Sequence, residues 1–147
     1  MQERFQMFTV LITKLNRSIR RIKTEEMAEF DLKSPHVSCL YYLYKTSPLT
    51  AKELSDVCEE DKAAISRSLD YLEANGYIVS RAKTQKRYRT PLELSEKGRE
   101  AGKRIAEKID CAIEKAGEGL SEGDRRVMYQ SLMLISDNLQ RMCDDYE

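Results

Sequence analysis

Apolar residues recur at helical spacing along most of the chain and form two long seams near its ends. In each seam the spacing alternates between three and four positions, which is the pattern of an extended amphipathic helix. The first helix is expected from about residue 3 to 29, and the last begins after a capping signal at Ser121 and Asp124. The seams consist of Phe5, Phe8, Ile12, Leu15, Ile19 and Ile22, and of Met128, Leu132, Ile135, Leu139 and Met142.

Two further helices are predicted from start and stop signals. Ser34-Pro35 is a favourable helix start with Ser as the cap, and the segment up to about Thr46 is apolar on nearly all sides. We therefore expect this helix, including the rings of Tyr41 and Tyr44, at the centre of the fold. Another long helix is expected from Ser95 to about residue 116, where a Gly-Glu-Gly stretch interrupts the pattern.

Residues 50–75 have the pattern of two helices joined by a tight turn. Thr50 and Glu53 form a capping-box signal, and Asp61 is a favourable N-cap for a second helix that Asn75-Gly76 would end. When its apolar residues turn inward, small and basic side chains remain outside: Lys62, Ala63, Ser66, Arg67 and Asp70. Such a face suits the major groove of DNA, although an ordinary solvated helix has a similar composition.

A β-hairpin with a positively charged tip is predicted after this helix. Residues 77–80 are β-prone, Leu92 and Leu94 alternate with polar neighbours, and Pro91 indicates an edge strand. The tip is typical of an arm that binds phosphates or enters the minor groove, while a protected sheet edge is the alternative. It carries no acid in a chain of zero net charge, and its cations are Arg81, Lys83, Lys86, Arg87 and Arg89.

In this order and spacing, the segments resemble the winged helix-turn-helix of the MarR family of bacterial transcription regulators. The resemblance extends through the flanking helices to essentially the whole chain. It rests on Ala51-x-Glu53-Leu54, Asp61-Lys62-Ala63-Ala64-Ile65-Ser66-Arg67-Ser68-Leu69, Leu72-Glu73-Ala74-Asn75-Gly76-Tyr77-Ile78 and Tyr88-Arg89-Thr90-Pro91-Leu92-Glu93-Leu94-Ser95-Glu96-Lys97-Gly98. The family wing usually has an Asp beside its Arg, whereas this chain has Gln85-Lys86-Arg87-Tyr88. We therefore take Arg87, and after it Arg89, as the residue for the minor groove.

The resemblance implies a mainly α fold with a small β-hairpin wing. Residues 1–147 would be a single MarR-like chain, with the winged helix-turn-helix at 34–95 and dimerisation helices at 1–30 and 96–147. Pairing of the terminal seams with a second copy would also bury both of them, and a twofold dimer would place two reading heads on half-sites about one DNA turn apart.

The leading interpretation is a sequence-specific transcriptional regulator, a homodimeric repressor of a palindromic double-stranded operator that a small aromatic or anionic effector releases. Release by an effector is implied by the resemblance alone. Major-groove contacts are expected from Lys62, Ala63, Ser66 and Arg67, wing contacts from Lys83, Lys86, Arg87 and Arg89, and phosphate contacts at helix N-termini from Ser34, His36 and Thr50. Effector contacts are assigned to Asn16, His36 and Tyr44, although a residue of each of these types in such a position is more often a satisfied core residue than a ligand contact.

The alternative is a winged-helix module that docks protein rather than DNA. An isoelectric point near 6.6 and the acidic Glu59-Glu60-Asp61 beside the reading helix favour it, and the cationic wing argues against it. An enzyme is not expected, because the chain has one His, no glycine-rich phosphate loop and no catalytic constellation. No cofactor is expected either.

Composition supports one globular domain in the cytoplasm. The 147 residues are 34% charged and 41% hydrophobic, no apolar run is long enough to cross a membrane, and the start lacks a secretory core. The four cysteines are far apart, so we expect reduced thiols and no metal site. Among them Cys58 is the poorest candidate for thiolate chemistry, since Glu59 and Glu60 disfavour a second negative charge.

Overall fold

The computed structural model describes residues 2–46, 48–58, 60–79 and 89–147, without the side chains of residues 2–6. Within these residues the chain forms six α-helices and a short 3₁₀ turn at Ala28–Phe30. The helices are α1 (Gln2–Glu26), α2 (Ser34–Lys45), α3 (Ala51–Val57), α4 (Lys62–Ala74), α5 (Glu96–Ala116) and α6 (Glu122–Asp144). None of the described helices is long and apolar enough to cross a membrane.

The chain divides into two compact units, Met1–Asp110 and Cys111–Glu147. In the first unit α2 is the centre, as its apolar composition predicts, and it packs against α1, α3 and α4. The core is made of side chains from α2, α3 and α4, from the segment between α1 and α2, from the residues after α4 and from the first half of α5. Its fully buried members include Met27, Val37, Cys39, Leu40, Leu54, Ile65, Leu69, Leu72 and Ile105.

The predicted helix caps around the turn are confirmed. Thr50 and Glu53 form the reciprocal pair at the start of α3, with the Glu53 N–H donating to Thr50 Oγ1 at 3.2 Å and the Thr50 N–H donating to the Glu53 carboxylate at 2.8 Å. At the start of α4, Asp61 Oδ1 accepts the Ala64 N–H at 2.7 Å. Gly76 has φ of +77°, which is the left-handed stop expected after α4.

The two ends of α2 differ from the prediction. Lys33 rather than Ser34 is the N-cap, and its N–H donates to Nδ1 of His36 at 3.1 Å, so the imidazole takes the role of a capping side chain. Tyr44, expected in the core, is 37% exposed. Its stem packs so closely on α5 that a Cβ at Gly102 would lie 2.7 Å from that of Tyr44, which leaves the ring near the surface.

The predicted hairpin is described only at its base. Ile78 and Leu94 form an antiparallel bridge, and the Val79 N–H donates to the Glu93 carbonyl at 2.9 Å. The Leu92 N–H donates to the carbonyl of Leu49 at 2.8 Å, which ties this segment to the chain before α3. Arg81, Lys83, Lys86 and Arg87 lie outside the described residues, so the β-hairpin wing stays a prediction.

The second unit consists of the end of α5 and all of α6. Arg125 joins the two, because it donates to the Gly117 carbonyl at 3.1 Å and lies 3.6 Å from the Glu114 carboxylate. No residue of α6 is buried in the single chain, and Ser121 caps it as predicted. The apolar residues of its seam and of the α1 seam are mostly exposed, including Ile12, Leu15, Ile19, Ile22, Met128, Leu132, Leu139 and Met142.

Substitution of Gly98 tests how closely α5 approaches the residues that follow α4. A Cβ at this position would lie 1.9 Å from the Tyr77 carbonyl oxygen, so we expect Gly98→Ala to lower the free energy of unfolding by about 1–3 kcal/mol or more. Gly123→Ala is the matched control, since its Cβ would meet only Ser121 Oγ at 3.8 Å. Urea denaturation measures both, and equal stabilities of the two variants would contradict the close contact.

Candidate nucleic-acid interface

The outer face of α4 carries the side chains that the sequence assigns to the major groove. Ile65, Leu69 and Leu72 are buried on the inner side of the helix. On the opposite side Lys62, Ala63, Arg67 and Asp70 are exposed and Ser66 is partly buried. The helix thus presents two cations and two small side chains within its first two turns.

Polar contacts hold α4 at both ends. Before its start, Glu60 forms a two-pronged pair with Arg20 of α1, in which the guanidinium nitrogens lie 3.2 Å from the carboxylate oxygens. After its end, the Ser95 hydroxyl donates to the Gly76 carbonyl at 2.5 Å, and Lys97 Nζ donates to the Asn75 carbonyl at 2.7 Å. These contacts orient the helix relative to α1 and α5.

The acidic residues before α4 are partly occupied by these contacts. Glu60 pairs with Arg20 and its side chain is only 7% exposed, while the Asp61 carboxylate accepts a backbone hydrogen bond as the N-cap. By contrast, neither Lys62 nor Arg67 forms an ion pair with any described residue. Of the two described acids, Glu60 is thus neutralised by a cation, and Asp61 is the one whose carboxylate stays at the surface beside Lys62. Glu59 lies outside the described residues.

The residues predicted to bind phosphate differ in their exposure to solvent and in their hydrogen bonds. Ser34 is 7% exposed, and its buried hydroxyl has no hydrogen-bond partner among the described residues, so it is not presented to a ligand. Thr50 is partly buried, and its hydroxyl caps α3. Arg89 is exposed where the described chain resumes after the wing segment.

His36 joins the start of α2 to α4 rather than standing alone at the surface. Its ring stacks on that of Tyr71, with centroids 4.2 Å apart and planes 10° from parallel, and Tyr71 in turn donates to the Asp31 carbonyl at 3.0 Å. Burial, with a smaller contribution from Lys33, lowers the pKa of His36, against the opposing effect of Asp31. No spacing in the sequence indicates that His36 and Tyr71 are partners.

The three residues assigned to an effector do not line one site. Tyr44 lines an open cleft of about 400 Å³ in the first unit, whereas Asn16 is exposed on α1 and His36 packs on Tyr71. Besides Tyr44, the cleft combines apolar walls with the Arg99 guanidinium, the Glu93 carboxylate and the Thr46 hydroxyl, none of which was assigned to an effector from the sequence. Its lining includes Leu43, Tyr44, Thr46, Leu92, Leu94 and Arg99.

The described cysteine, histidine and acidic side chains form neither a disulfide nor a metal site. None of the four cysteines forms a disulfide. Among the described residues, no group of three or more His, Cys, Asp or Glu side chains lies close enough to hold a metal ion.

Comparison with known proteins gives one family match. Residues 30–87, which run from the end of the 3₁₀ turn through the helix-turn-helix, match the sequence model of the MarR family. No curated protein sequence matches the chain significantly.

Several solved structures share the fold. A MarR family transcriptional regulator from Listeria monocytogenes in complex with a 26mer DNA is 22% identical, with a TM-score of 0.76 over 87% of this chain and 85% of that one. A MarR protein from Peptoclostridium difficile is 18% identical, with a TM-score of 0.82 over 96% and 92%. Staphylococcus aureus MarR in complex with salicylate and kanamycin is 17% identical, with a TM-score of 0.77 over 92% of each chain.

The lowered pKa of His36 predicts how the stability of the folded protein changes with pH. The folded chain binds a proton at His36 less readily than the unfolded chain, whose ordinary value is 6.5. The contribution of neutral His36 is therefore present above pH 6.5 and is lost as the pH falls through the lowered folded pKa.

His36→Gln separates this effect from the titration of carboxylates. A glutamine at this position can still accept the Lys33 N–H but does not titrate. We expect the free energy of unfolding of the native protein to fall more than that of the variant between about pH 7.5 and about pH 5.5. Parallel pH profiles from urea denaturation would contradict this role of His36.

Proposed function

We propose that this chain, whose residues 30–87 match the sequence model of the MarR family, is a transcriptional regulator of that family that binds double-stranded DNA in a sequence-specific manner and represses transcription. Lys62, Ala63, Ser66 and Arg67 enter the major groove, and the wing cations Lys83, Lys86, Arg87 and Arg89 contact the backbone and the minor groove. The proposed action is regulatory rather than enzymatic and takes place in the cytoplasm.

The observation that carries this proposal is that α4 has a buried apolar side and an exposed polar side. Its apolar residues are withdrawn into the core, and the opposite side exposes Lys62 and Arg67, neither of which has an ion-pair partner among the described residues. An exposed guanidinium beside small side chains can approach base edges, where Arg forms two hydrogen bonds with guanine. The Listeria monocytogenes protein of the same fold was solved with DNA, which supports the same use of the fold here.

The alternative of a protein-docking module receives less support from the geometry. It drew on the acidic turn before α4, yet Glu60 is withdrawn into a pair with Arg20 and Asp61 is engaged as a helix cap. Repulsion of phosphate by this turn is therefore weaker than the sequence suggests. A DNA-binding assay at low salt separates the two functions directly.

Dimerisation is part of the proposal, because the exposed apolar seams of α1 and α6 need a partner. Isolated surface Leu or Ile residues are ordinary, but repeated exposure along two whole helices is typical of an interface. A second copy of the chain offers the same seams, and a twofold axis brings each seam against its symmetry mate. The same symmetry suits a palindromic operator with two half-sites.

Release by a small-molecule effector is the least developed part of the proposal. The cleft beside Tyr44 supports it, since its apolar walls suit an aromatic ring and the Arg99 guanidinium suits a carboxylate, while the Glu93 carboxylate in the same lining opposes a second negative charge. Such a ligand weakens DNA binding only if it has a higher affinity for a conformation that does not bind the operator.

Substitution of Arg67 tests the DNA-reading face. We expect Arg67→Ala to weaken binding about tenfold or more to a duplex that the native protein enriches from a random library, because a base or phosphate contact is lost. Arg126→Ala removes an exposed arginine of α6 and serves as the control, for which affinity should not change. Fluorescence anisotropy measures both, circular dichroism verifies folding, and equal affinities would reject the assignment of Arg67.

Substitution of Leu132 tests the dimer. Leu132 lies in the α6 seam and is 38% exposed in the single chain, so Leu132→Glu should be tolerated by the fold but should place a charge in the proposed interface. We expect this variant to sediment as a monomer at concentrations where the native protein is a dimer. Gln130→Glu, on the opposite side of α6, should leave the dimer intact, and a monomeric native protein would overturn the proposal.

A further inference from the structure

Helix α1 has three sides of different chemistry, and each side repeats at helical spacing. One side is turned into the first unit and includes the buried side chain of Met27. The second is the exposed apolar seam, which the proposed dimer covers. The third side is exposed and basic, and its cations are Lys14, Arg17 and Arg21.

The basic side of α1 stands out in a chain whose net charge is zero. Residues 4–24 contain no Asp or Glu, and the next acid along the chain is Glu25. Among the described residues, none forms an ion pair with Lys14, Arg17 or Arg21. The cations of residues 4–24 are Arg4, Lys14, Arg17, Arg20, Arg21 and Lys23.

Arg20 connects this part of α1 to the start of α4. Its guanidinium lies 3.2 Å from the carboxylate of Glu60, which comes shortly before Lys62, the first residue of α4. Arg17 and Arg21 are within one helical turn of Arg20, and a turn of an α-helix is about 5.4 Å long. Both cations of the basic side are therefore close to the end of α4 that carries Lys62.

A cation beside the start of a DNA-reading helix is well placed for phosphate. The major groove is about 12 Å wide and an α-helix with its side chains is about 10–12 Å across, so a helix that enters the groove fills it. The phosphates of the two groove walls then run along the sides of the helix. Contacts to these phosphates fix the position of a protein on the duplex without reading its bases.

We propose that Arg17 and Arg21 of α1 form a second DNA-binding surface, which holds the phosphate backbone beside the groove that α4 enters. Lys14, one turn before Arg17, adds positive charge to the same side of the helix. The inference rests on the proposed function, and it gives a role in DNA binding to a helix that the sequence assigned to dimerisation.

The proposed dimer places this surface between the two reading heads. The buried side of α1 faces the core of its own subunit and the apolar seam faces the second copy, so the helix lies between its own head and the twofold axis. The duplex between the two half-sites crosses the same axis. A palindromic operator would therefore meet two copies of the basic side, one from each subunit.

Contacts to phosphate and contacts to bases have different consequences when they are lost. A phosphate contact contributes to the binding of every duplex and releases counterions, so its removal lowers affinity uniformly and makes binding less sensitive to salt. Removal of a base contact instead lowers the preference for the selected sequence. Variants of α1 and of α4 should therefore differ in kind.

The double variant Arg17→Ala/Arg21→Ala tests the surface with the library-selected duplex and with a scrambled duplex of the same composition. Each phosphate contact contributes about 0.9 to the slope of log affinity against log salt concentration, and the two arginines of both subunits make at most about four contacts. We expect a slope shallower by about 2–4 and, at low salt, affinity about tenfold or more lower for both duplexes. The preference for the selected duplex should stay within about twofold of the native value, whereas Arg67→Ala should reduce it.

Two matched variants separate the position of the charge from its amount. Lys115→Ala/Arg126→Ala removes the same charge from exposed residues of α5 and α6 and should change neither affinity nor slope. Arg17→Lys/Arg21→Lys keeps the charge on α1, and most of the affinity should remain because a phosphate also accepts lysine as a point charge. Fluorescence anisotropy between about 50 and 200 mM salt measures each variant, circular dichroism verifies folding, and sedimentation verifies the dimer.

The possible outcomes distinguish this surface from the proposed function. Unchanged affinity and slope in a folded, dimeric alanine variant would overturn the role of α1, and so would an equal loss in Lys115→Ala/Arg126→Ala. If the double variant loses its dimer, Arg17→Gln and Arg21→Gln each carry the same expectation, with a slope shallower by about 1–2. A native protein that enriches no duplex from the library would instead count against the proposed function.

Discussion

Ile65, Leu69 and Leu72 leave solvent where α4 packs against α2, and this burial decides which side of α4 faces outward. Burial of each such side chain contributes about 1.5–3 kcal/mol, so a rotation that exposed all three would cost more than any surface contact returns. Lys62 and Arg67 are exposed because the residues opposite them are held inside. The candidate DNA-reading face is thus a consequence of core packing.

Polar contacts refine the position of α4 without determining its orientation about its own axis. The pair between Arg20 and Glu60 is partly exposed on the arginine side, and pairs of this kind contribute about 1 kcal/mol or less. Lys97 and Ser95 each donate to a backbone carbonyl just after the helix. Together with the pair between Arg20 and Glu60, these hydrogen bonds position α4, since they tie its two ends to α1 and to the start of α5.

Much of the local structure could be predicted from the sequence, because local signals act over three or four residues. The capping pairs at Thr50 and Ser121, the N-cap at Asp61 and the left-handed Gly76 all appear where their patterns place them. The start of α2 is the exception. There a histidine three residues after the cap accepts the backbone N–H, while Ser34, the better capping residue by type, is turned into the interior.

By itself, the amino-acid sequence determined the order of the helices, their caps and the outward face of α4, since periodicity and side-chain chemistry are local properties. Only the tertiary structure decided which distant residues meet, because such contacts depend on how the helices pack. The stack of His36 on Tyr71 and the pair between Arg20 and Glu60 are both of this kind. Each joins residues on separate helices or turns, and no spacing in the sequence encodes their distance.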